Sequence, residues 1–477
     1  MKKIIKLATI IVSFMLLASV ANASNTAPKQ ALKTNGQLIY KPQVDVDNIR
    51  DAFTQGTLYG RLRSHTMYYR WQRDTPSQNT NIVTALGGSL VYKSATFADI
   101  DVSAGLYYSR AFFNATSDPV VRLKSGSDLI SRYNYSKYGE KDMFVVGQAY
   151  VSYKGLSETQ FHIGRQLVET FYTASNDTKM IPNTFDGVVV QTKYFQDTDI
   201  KIAYLTDQKL RSHTHNHSVL AYADGTEPDY WGENDDSAMH KGLLYSKLGA
   251  KNDAPLITGD IKNKSVENLT LQGSFYNVPD LLSETMVEAN YKVPMYGASL
   301  TPGIRYIKQF DNGAGAIGGA SYSNNTTGYK NPNSLDSQML ALRLVAAHKG
   351  YKLNFGYSHV FDEADLITPW RGFPTAGYTR SMARYNWKAN TTSYRIELTH
   401  GAARNGVYKD VFTQFSILHT DADERKGQFD ENYYYAGFVQ NLPMMPALQW
   451  RLRLGYADTK KTDGDSFDGR FELNYLF

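Results

Sequence analysis

The chain has 477 residues, among them 35 tyrosines and 22 phenylalanines, and it contains no cysteine. The lack of cysteine excludes disulfides, thiolate metal sites and thiol nucleophiles. The formal net charge of +5 is small for this length, so it gives no indication of a nucleic-acid partner. After the N-terminal region no run of about 18 or more apolar residues occurs, which excludes a helical membrane protein.

The N-terminus has the order of residues that is typical of a secretory signal peptide. Three lysines within the first six residues precede an apolar run from Leu7 to Val20, and small residues follow up to Ala23. This order predicts a signal peptide over residues 1–23, cleaved after Ala23. The alternative is a single membrane anchor, but the apolar run is shorter than the roughly 20 residues that cross a bilayer, and no stop-transfer pattern follows.

The last strand of the chain alternates apolar and polar residues. The apolar residues, which share one face, are Phe471, Leu473, Tyr475 and Phe477. The polar residues on the other face are Arg470, Glu472 and Asn474. A strand with lipid on one side and water on the other needs such a pattern. An edge strand of a soluble protein has a similar pattern, but the final Phe477 also resembles the sequence that outer-membrane assembly machinery recognises.

The same alternation recurs upstream, and no helical period competes with it over comparable lengths. The clearest segments are 298–310, 338–346, 379–389, 391–400 and 449–457. The chain is rich in aromatic residues, yet its mean hydropathy is −0.43. A soluble periplasmic protein of this length would show helical patterns or continuous apolar strands for its core, whereas a barrel dilutes its hydrophobicity.

Connections of two lengths alternate along the chain. Short links are predicted at 94–97, 155–158, 197–199, 293–297, 349–350, 388–391 and 441–447, and long loops at 114–141, 167–186, 209–237, 311–335, 361–378 and 403–430. Their alternation predicts an all-β fold, a single transmembrane antiparallel β-barrel of about eighteen strands over residues 56–477. Segment 407–418 is either a hairpin arm or part of a loop. A barrel of this size holds water, which predicts a channel.

Three segments resemble the OprD-type outer-membrane porins. They are Gly164-Arg165-Gln166 continuing through 176–187, the turn and strand 293–306, and Phe373-Pro374 followed by 381–387. The resemblance runs in order from about Gly56 to Phe477. It implies an eighteen-stranded barrel in the outer membrane of a Gram-negative-type cell, with a pore narrowed by inward-folded loops. It also implies uptake of small carboxylate-bearing or amino-acid-like solutes along a ladder of basic residues. Lys179 stands where the family pattern leads us to expect Arg, and Lys lacks the planar fork that grips a carboxylate.

The ladder is also visible in the residues themselves, because the alternation turns one face of each strand toward the lumen. The arginines that we predict to line the pore are Arg305, Arg343, Arg380, Arg384, Arg395, Arg451, Arg453 and Arg470. The acids predicted on the same inner face are Glu288, Glu397 and Glu472. This excess of base favours anions or carboxylate groups. The alternative is that these arginines pair with neighbouring acids and only stiffen the wall.

Two loops are predicted to complete the selectivity of the pore. The loop 167–186 would place polar and charged groups in a constriction, namely Asn176, Asp177, Lys179 and Asp186, together with Glu169. The alternative is a loop that only covers the barrel mouth. The acids Asp362, Glu363 and Asp365 open another loop and are expected to face the basic wall. Opposed acidic and basic sides would orient a zwitterion.

Other polar clusters give weaker evidence of a functional site. His213, His215 and His217 alternate in a loop, but no further ligand stands at a fixed offset, so we predict no metal site. The acidic groups 233–236 and Asp463-Gly464-Asp465 do not continue as Ca²⁺ loops. Residues 24–55 are predicted to form an N-terminal extension that lies at the periplasmic mouth or stays disordered. No phosphate cradle or nucleophile elbow occurs, and we predict neither an enzyme nor a cofactor.

The sequence therefore predicts a porin for passive uptake of small hydrophilic solutes. The expected partners are these solutes, outer-membrane lipid, and the periplasmic chaperones and barrel-assembly machinery that serve its biogenesis, without nucleic acid. A monomer and a trimer both remain open. The main alternative is a non-selective diffusion porin; a structural or adhesive barrel and a barrel enzyme are further ones. An energy-coupled transporter is disfavoured because residues 24–55 are too few for a plug domain.

Overall fold

The computed structural model describes residues 30–33, 36–75, 80–115, 129–175, 177, 179–220, 224, 240–368, 370–382, 384–401 and 410–477. The predicted signal peptide, Asn176 and the acidic group 233–236 lie outside the described residues.

The described chain is built mainly from strands. In chain order they are β1 (Gln30–Leu32), β2 (Leu38–Tyr40), β3 (Asp45–Val46), β4 (Thr57–Trp71), β5 (Asn81–Lys93), β6 (Thr96–Phe97), β7 (Ile100–Asn114), β8 (Asp142–Leu156), β9 (Thr159–Gln166), β10 (Thr184–Thr192), β11 (Thr198–Lys209), β12 (His217–Ser218), β13 (Leu256–Asn263), β14 (Leu269–Val278), β15 (Leu282–Tyr291), β16 (Val293–Met295), β17 (Ala298–Asp311), β18 (Ser337–His348), β19 (Tyr351–Val360), β20 (Thr391–His400), β21 (Phe412–Asp421), β22 (Glu431–Leu442), β23 (Met445–Thr459) and β24 (Ser466–Leu476).

Eighteen of these described strands are long, and each pairs antiparallel with the next until β24 pairs with β4 and closes the barrel. The closure is completed beyond the end of β24, where the backbone amide of Gly60 donates to the carbonyl of Phe477 at 2.8 Å, and the amide of Phe477 donates back at 3.0 Å. The Phe477 ring lies where a side chain on Gly60 would stand. The prediction of a closed barrel of about eighteen strands is confirmed.

Helices are short and lie before β4 or in the connections between wall strands. They are α1 (Ile49–Thr54), α2 (Arg132–Tyr138), α3 (Tyr245–Leu248) and α4 (Ala314–Gly318), with 3₁₀ turns at Gly249–Lys251 and Glu424–Lys426. The side chain of Asn48 caps α1 by accepting from the amide of Asp51 at 2.9 Å. In the described part of the chain, no helix has the length and apolar character needed to cross a membrane.

The wall strands turn alternate residues to opposite faces, because successive side chains of a strand point to opposite sides. On β24, Phe471 is 40% exposed on the outer surface, whereas Arg470 and Glu472 are buried on the inner side. On β20 the same division separates the exposed Ile396 from the buried Arg395. The predicted facing of these two strands is therefore confirmed, and the apolar outer face is the one that meets lipid.

Connections differ at the two ends of the barrel. The end that holds Phe477 has mostly short turns, of which the one at Lys349 and Gly350 has two residues. The other end carries the long loops 115–141, 167–183, 210–255, 312–336 and 361–390. The tight turn 279–281 is an exception at that end. By the rule for bacterial barrels, the short-turn end is periplasmic and the long-loop end is extracellular.

Two strand predictions are wrong. Residues 379–389, which include Arg380 and Arg384, form no wall strand, and no short link lies at 388–391, because 361–390 is one loop. Its backbone is satisfied locally, since the amides of Tyr378, Thr379 and Arg380 all donate to the carbonyl of Thr375. Conversely, the predicted loop 403–430 contains β21, which pairs with both β20 and β22, so the hairpin arm is the correct alternative for the described part of segment 407–418. The two errors offset each other, so the strand count stays the same.

Loop residues fill much of the lumen between β10 and β19. The largest buried apolar cluster joins inward wall residues such as Leu205, Leu282 and Met339 to Leu366 and Trp370 of loop 361–390. Burying such side chains contributes about 1.5–3 kcal/mol each, which offsets the entropy of ordering a long loop. Other loop residues pack against β4, β5, β7 and β8, and the cavity that the described loops leave open lies beside β20 to β23.

Candidate pore constriction

A cavity of about 420 Å³ lies inside the barrel, between the two inward loops and the wall. We call it the constriction cavity. Its described lining consists of Gln37, Glu169, Ala174, Ser175, Asp177, Phe373, Ala376, Gly377, Arg380, Ser381, Met382, Arg395, Glu397, Gln414, Tyr435, Arg451 and Arg453. The wall strands β20 to β23 supply one side, and the loops 167–183 and 361–390 supply much of the rest.

The loop 167–183 is held in the lumen by an ion-pair cluster at Asp177. Its carboxylate accepts from Arg61 at 2.6 Å and from Arg63 at 2.5 Å, and its carbonyl accepts from Arg63 at 3.1 Å. Both arginines stand on β4 with their side chains almost fully buried. Arg61 also donates two bonds to the side-chain oxygen of Asn474 on β24. This geometry places the loop inside the barrel rather than over its mouth.

Internal hydrogen bonds fix the shape of the same loop. Glu169 accepts from the amide of Ser175 at 2.9 Å and from its hydroxyl. The amide of Phe171 donates to Asp260 on β13 at 3.0 Å, which ties the loop to the wall. Burial raises the pKa of Glu169, although the bonds from Ser175 act in the opposite direction. Glu169 therefore presents to the cavity a carboxylate that takes up a proton more readily than an exposed one.

The second loop, 361–390, lies directly against the first. The fully buried Trp370 donates its indole N–H to the carbonyl of Val219 at 2.8 Å. Its own carbonyl accepts from the amide of Ala174 at 3.1 Å. Gly372 approaches the backbone of Tyr172 so closely that a Cβ there would lie 2.6 Å from the Tyr172 carbonyl oxygen. The constriction is thus built by two loops in backbone contact.

Arg380 projects from loop 361–390 onto an aromatic stack. Its guanidinium lies 3.5 Å from the ring centroid of Phe373. Phe373 stacks on Tyr385 at 5.5 Å, and Tyr385 stacks on Trp387 at 4.6 Å. Burial lowers the pKa of Arg380 to about 10, so the group remains charged at neutral pH. The stack holds a cation at the cavity without neutralising it.

Most of the predicted arginines have a carboxylate neighbour. The pairs within 4 Å are Arg305–Glu288, Arg343–Glu288, Arg384–Glu431, Arg395–Glu397, Arg451–Glu472, Arg453–Glu472 and Arg470–Asp468. Arg384 is a loop residue and does not line the cavity, contrary to its prediction as part of the wall. Arg305 stabilises loop 361–390 by donating to the carbonyls of Pro374 and Ala376. Pairing with acids, the alternative considered from sequence, accounts for a large part of the ladder.

The arginines at the cavity nevertheless exceed the acids available to them. Glu472 is shared, since it accepts from Arg453 at 2.5 Å and from Arg63 at 3.3 Å and lies 3.9 Å from Arg451. The Nη1 atom of Arg451 has no hydrogen-bond partner in the described structure. Asp177 is likewise occupied by two arginines. Arg380 and Arg451 are therefore the cavity guanidiniums with the least local compensation.

The predicted acidic loop does not face the basic wall, so that prediction is wrong. Asp362 pairs with Lys426 at 2.6 Å, and Glu363 accepts from Gln338 at 2.8 Å. Asp365 is buried and binds loop groups, among them the hydroxyl of Tyr329 at 2.6 Å. Asp362 and Asp365 join extracellular loops to one another, and Glu363 joins its loop to β18, because loop closure brings bases and amides to them. The acids at the constriction cavity are instead Glu169, Asp177 and Glu397.

The remaining predicted site residues take other positions. Lys179 is buried and is absent from the described lining of the cavity. Asp186 belongs to β10 and pairs with Arg165 at 2.9 Å, so its assignment to the constriction loop is wrong. His213 and His217 lie with ring centroids 5.0 Å apart in loop 210–255. Among the described residues no group of three or more potential metal ligands occurs.

The sequence interpretation missed Arg61 and Arg63, which anchor the constriction. Their pattern was detectable, because Arg61, Arg63 and His65 occupy alternate positions of β4, in the manner of Arg451 and Arg453 on β23. All three are buried on the inner face.

Comparisons with known proteins agree with this architecture. The family model for outer membrane porins of the OprD family matches residues 149–390, just over half of the chain. A search of curated proteins finds no match. Solved structures of similar fold include Pseudomonas aeruginosa OpdK with vanillate, which has 13% identity, a TM-score of 0.66, and coverage of 88% of this chain and 98% of that one.

Two further structures are similar. Pseudomonas aeruginosa OccK8 (OprE) has 16% identity and a TM-score of 0.68, with 91% of this chain and 99% of that one covered. Acinetobacter baumannii OccAB1 has 13% identity and a TM-score of 0.68, with 88% and 96% covered. At these identities the likeness shows the fold, whereas the family model carries the family assignment. The chain therefore belongs to the OprD family of outer membrane porins.

Proposed function

We propose that this porin takes up small hydrophilic solutes that carry a carboxylate, and that the least compensated guanidiniums of the constriction cavity, those of Arg380 and Arg451, guide them. The observation that carries the proposal is the position of Arg380 and Arg451 at the cavity without a carboxylate within hydrogen-bond distance. A guanidinium presents a planar fork of donors that matches a carboxylate. A solute anion entering this cavity would complete the hydrogen bonds that the wall leaves open.

The cavity also offers groups for the rest of such a solute. Glu169 and Glu397 would attract an ammonium group, and the neutral Gln414 and Tyr435 supply polar atoms beside them. Amino-acid-like solutes therefore fit the charge distribution. The similar OpdK structure is one with vanillate, a carboxylate. A non-selective diffusion porin, the alternative, would pass solutes by size, so the charges of the cavity would not distinguish among solutes of similar size.

The test is the ion preference of single channels in planar bilayers, measured as a reversal potential across a KCl gradient. Replacing Arg451 and Arg453 with Ser should shift the reversal potential toward cations, because two cavity cations are removed. The matched control is Arg73→Ser, since Arg73 is an exposed residue of the extracellular rim paired with Asp463. An unchanged reversal potential in the double variant would rule out guidance by these arginines.

Adding increasing concentrations of candidate solutes to the wild-type channel then tests which class of solute binds in the pore. Glutamate should block the ion current at lower concentration than an uncharged sugar of similar size. Block by arginine, which has a cationic side chain, tests whether the acidic groups of the cavity bind a positive charge. Liposome swelling with the same solutes separates a pore from a structural or adhesive barrel, which would give no swelling. Equal rates for glutamate and the sugar would favour the non-selective porin.

A further inference from the structure

The first strands of the described chain pair inside the barrel. β1 and β2 form an antiparallel hairpin, in which Gln30 pairs with Tyr40 and Leu32 with Leu38. We call these two strands, with Gly36 and Gln37, the N-terminal hairpin. Gln30 is only 3% exposed and Leu32 only 7%, although they precede the barrel and belong to a polar segment. Such burial indicates that the hairpin is enclosed by the lumen.

The hairpin contacts inward-facing groups on several wall strands. The side-chain amide of Gln30 donates to the carbonyl of Gly60 on β4 at 2.5 Å. On another side, Gln449 of β23 donates to the carbonyl of Leu32 at 3.1 Å. Gly60 lies near the start of β4 and Gln449 near the start of β23, so both contacts are in the periplasmic half of the barrel. The hairpin therefore bridges parts of the wall below the constriction.

Aromatic contacts hold the second strand of the hairpin. The ring of Tyr40 packs edge-on against Tyr59 of β4 with centroids 4.8 Å apart. The ammonium of Lys93, at the end of β5, lies 5.0 Å from the centroid of the same Tyr40 ring. The negative face of an aromatic ring attracts such a cation. Three wall strands thus hold the hairpin, at the end where β5 finishes and β4 begins.

The upper end of the hairpin reaches the constriction itself. Gln37 lines the constriction cavity. Gly36 has φ of +90°, and a Cβ at this position would lie 3.2 Å from the carbonyl oxygen of Asp177 and 3.4 Å from Nη1 of Arg451. Any larger residue here would be strained and would press on two groups of the constriction. The hairpin and the loop 167–183 therefore meet at the constriction cavity.

The segment that follows the hairpin is fixed to the periplasmic rim. The amide of Ala95 donates to the carbonyl of Ala52, and the amide of Thr96 donates to the carbonyl of Val44, both at 2.8 Å. These bonds and the short pairing of β3 with β6 hold the base of the extension at the turn between β5 and β7. The hairpin is thus tethered at one point of the rim and inserted upward from it.

We propose that the N-terminal hairpin is an internal plug that narrows the periplasmic exit of the constriction cavity and sets the largest solute that can leave it. A solute moving from the cavity to the periplasm must pass between the hairpin and the remaining wall. The side-chain amide of Gln37 adds a neutral polar group to that exit. The barrel closes without the hairpin, since β24 pairs directly with β4, so the plug can be removed while the wall remains.

The first test is deletion of residues 24–40 behind the intact signal sequence. Single-channel conductance should rise about twofold, because conductance follows the cross-section of the narrowest passage. Swelling of liposomes should extend to larger sugars, such as a trisaccharide. Heat-modifiable migration on electrophoresis verifies that the variant barrel is folded. A folded deletion variant with wild-type conductance and the wild-type sugar limit would overturn the proposal.

The second test does not depend on folding of a shortened chain. The chain has no cysteine, so Gln37→Cys provides a unique thiol at the exit. Its reaction with a bulky cationic methanethiosulfonate should reduce the conductance of open channels. The matched control is Met444→Cys in the turn between β22 and β23, where Met444 is 99% exposed, and its labelling should leave conductance unchanged. An unaltered conductance after labelling of Gln37→Cys would also overturn the plug.

The proposed plug requires that the chain is a pore, but the experiments that could contradict the plug differ from those that could contradict the proposed solute preference. Loss of the preference after Arg451→Ser and Arg453→Ser concerns charge, whereas the plug concerns the size limit and total conductance. Both quantities come from the same recordings. A wild-type channel with no ion preference would therefore contradict the proposed function. The plug would still be tested by the effect of the deletion on conductance and on the size limit.

Discussion

Arg63 of β4 and Asp177 of the loop 167–183 form an ion pair with their atoms 2.5 Å apart, and this pair connects the barrel wall to the constriction. The two residues are 114 positions apart in the chain. Arg61 grips the same carboxylate, so one loop acid holds two wall arginines. The pair therefore decides both the position of the loop and the charge that faces a solute.

Asp177→Asn should release the loop and free two guanidiniums. Breaking a buried pair by removing one partner costs roughly 3–5 kcal/mol, and we expect the lower end because the cavity admits water. The channel should become larger in conductance and more anion-selective, as measured by reversal potential. The control is Asp101→Asn on β7, whose partner is Lys154 at 2.5 Å. A decrease in anion preference would contradict this role of Asp177.

The ion preference should depend on pH through Glu169. Because burial raises its pKa, Glu169 becomes neutral as the pH falls through a value above the usual range of a carboxyl group. The cavity then loses a negative charge while its arginines remain charged, so anion preference should increase toward acid pH. Glu169→Gln should show the increased preference already at neutral pH and remove this pH step. A step that persists in Glu169→Gln belongs to another group.

Trp370→Ala should loosen loop 361–390 at its packing centre. The substitution removes a fully buried indole and its bond to Val219, at a cost of about 3–5 kcal/mol. We expect noisier single-channel currents and faster protease cleavage of this loop in intact cells. Trp387→Ala is the matched control, because Trp387 is only partly buried. Equal effects of the two substitutions would show that Trp370 is not the anchor.

Asp365→Ala should weaken the contacts among the extracellular loops. The carboxylate of Asp365 accepts from the hydroxyl of Tyr329 at 2.6 Å and from the amides of Tyr322 and Ala389 at 3.0 and 2.8 Å. Each buried donor left without an acceptor costs about 1–3 kcal/mol. Protection of the loops against protease should fall. The control Asp463→Ala removes an exposed pair with Arg73, worth about 0–1 kcal/mol, and should change little.

The facing of the wall strands was predictable from the chain alone. A strand turns alternate residues to opposite sides, so Arg395 and Ile396, or Arg470 and Phe471, separate toward lumen and lipid whatever their neighbours are. The same period in Tyr385 and Trp387 misled the interpretation of residues 379–389. There the rings stack on Phe373 inside a loop, and alternation alone does not distinguish this from contact with lipid.

The partners of the charged residues were decided by the tertiary structure. Chain closure brings β24 beside β4, so Glu472 meets Arg63 as well as Arg453, a relation that spans 409 positions. Loop closure takes Asp362 and Asp365 to loop groups instead of the basic wall.

By itself, the sequence determined the barrel, the lumen-facing side of its strands and an excess of lumenal arginine, because these follow from a local period of two residues. Only the tertiary structure decided that Arg380 and Arg451 have the least compensation from nearby carboxylates and that the N-terminal hairpin enters the lumen. These outcomes depend on contacts between residues far apart in the chain, and no local pattern of residues determines which distant group contacts a given side chain.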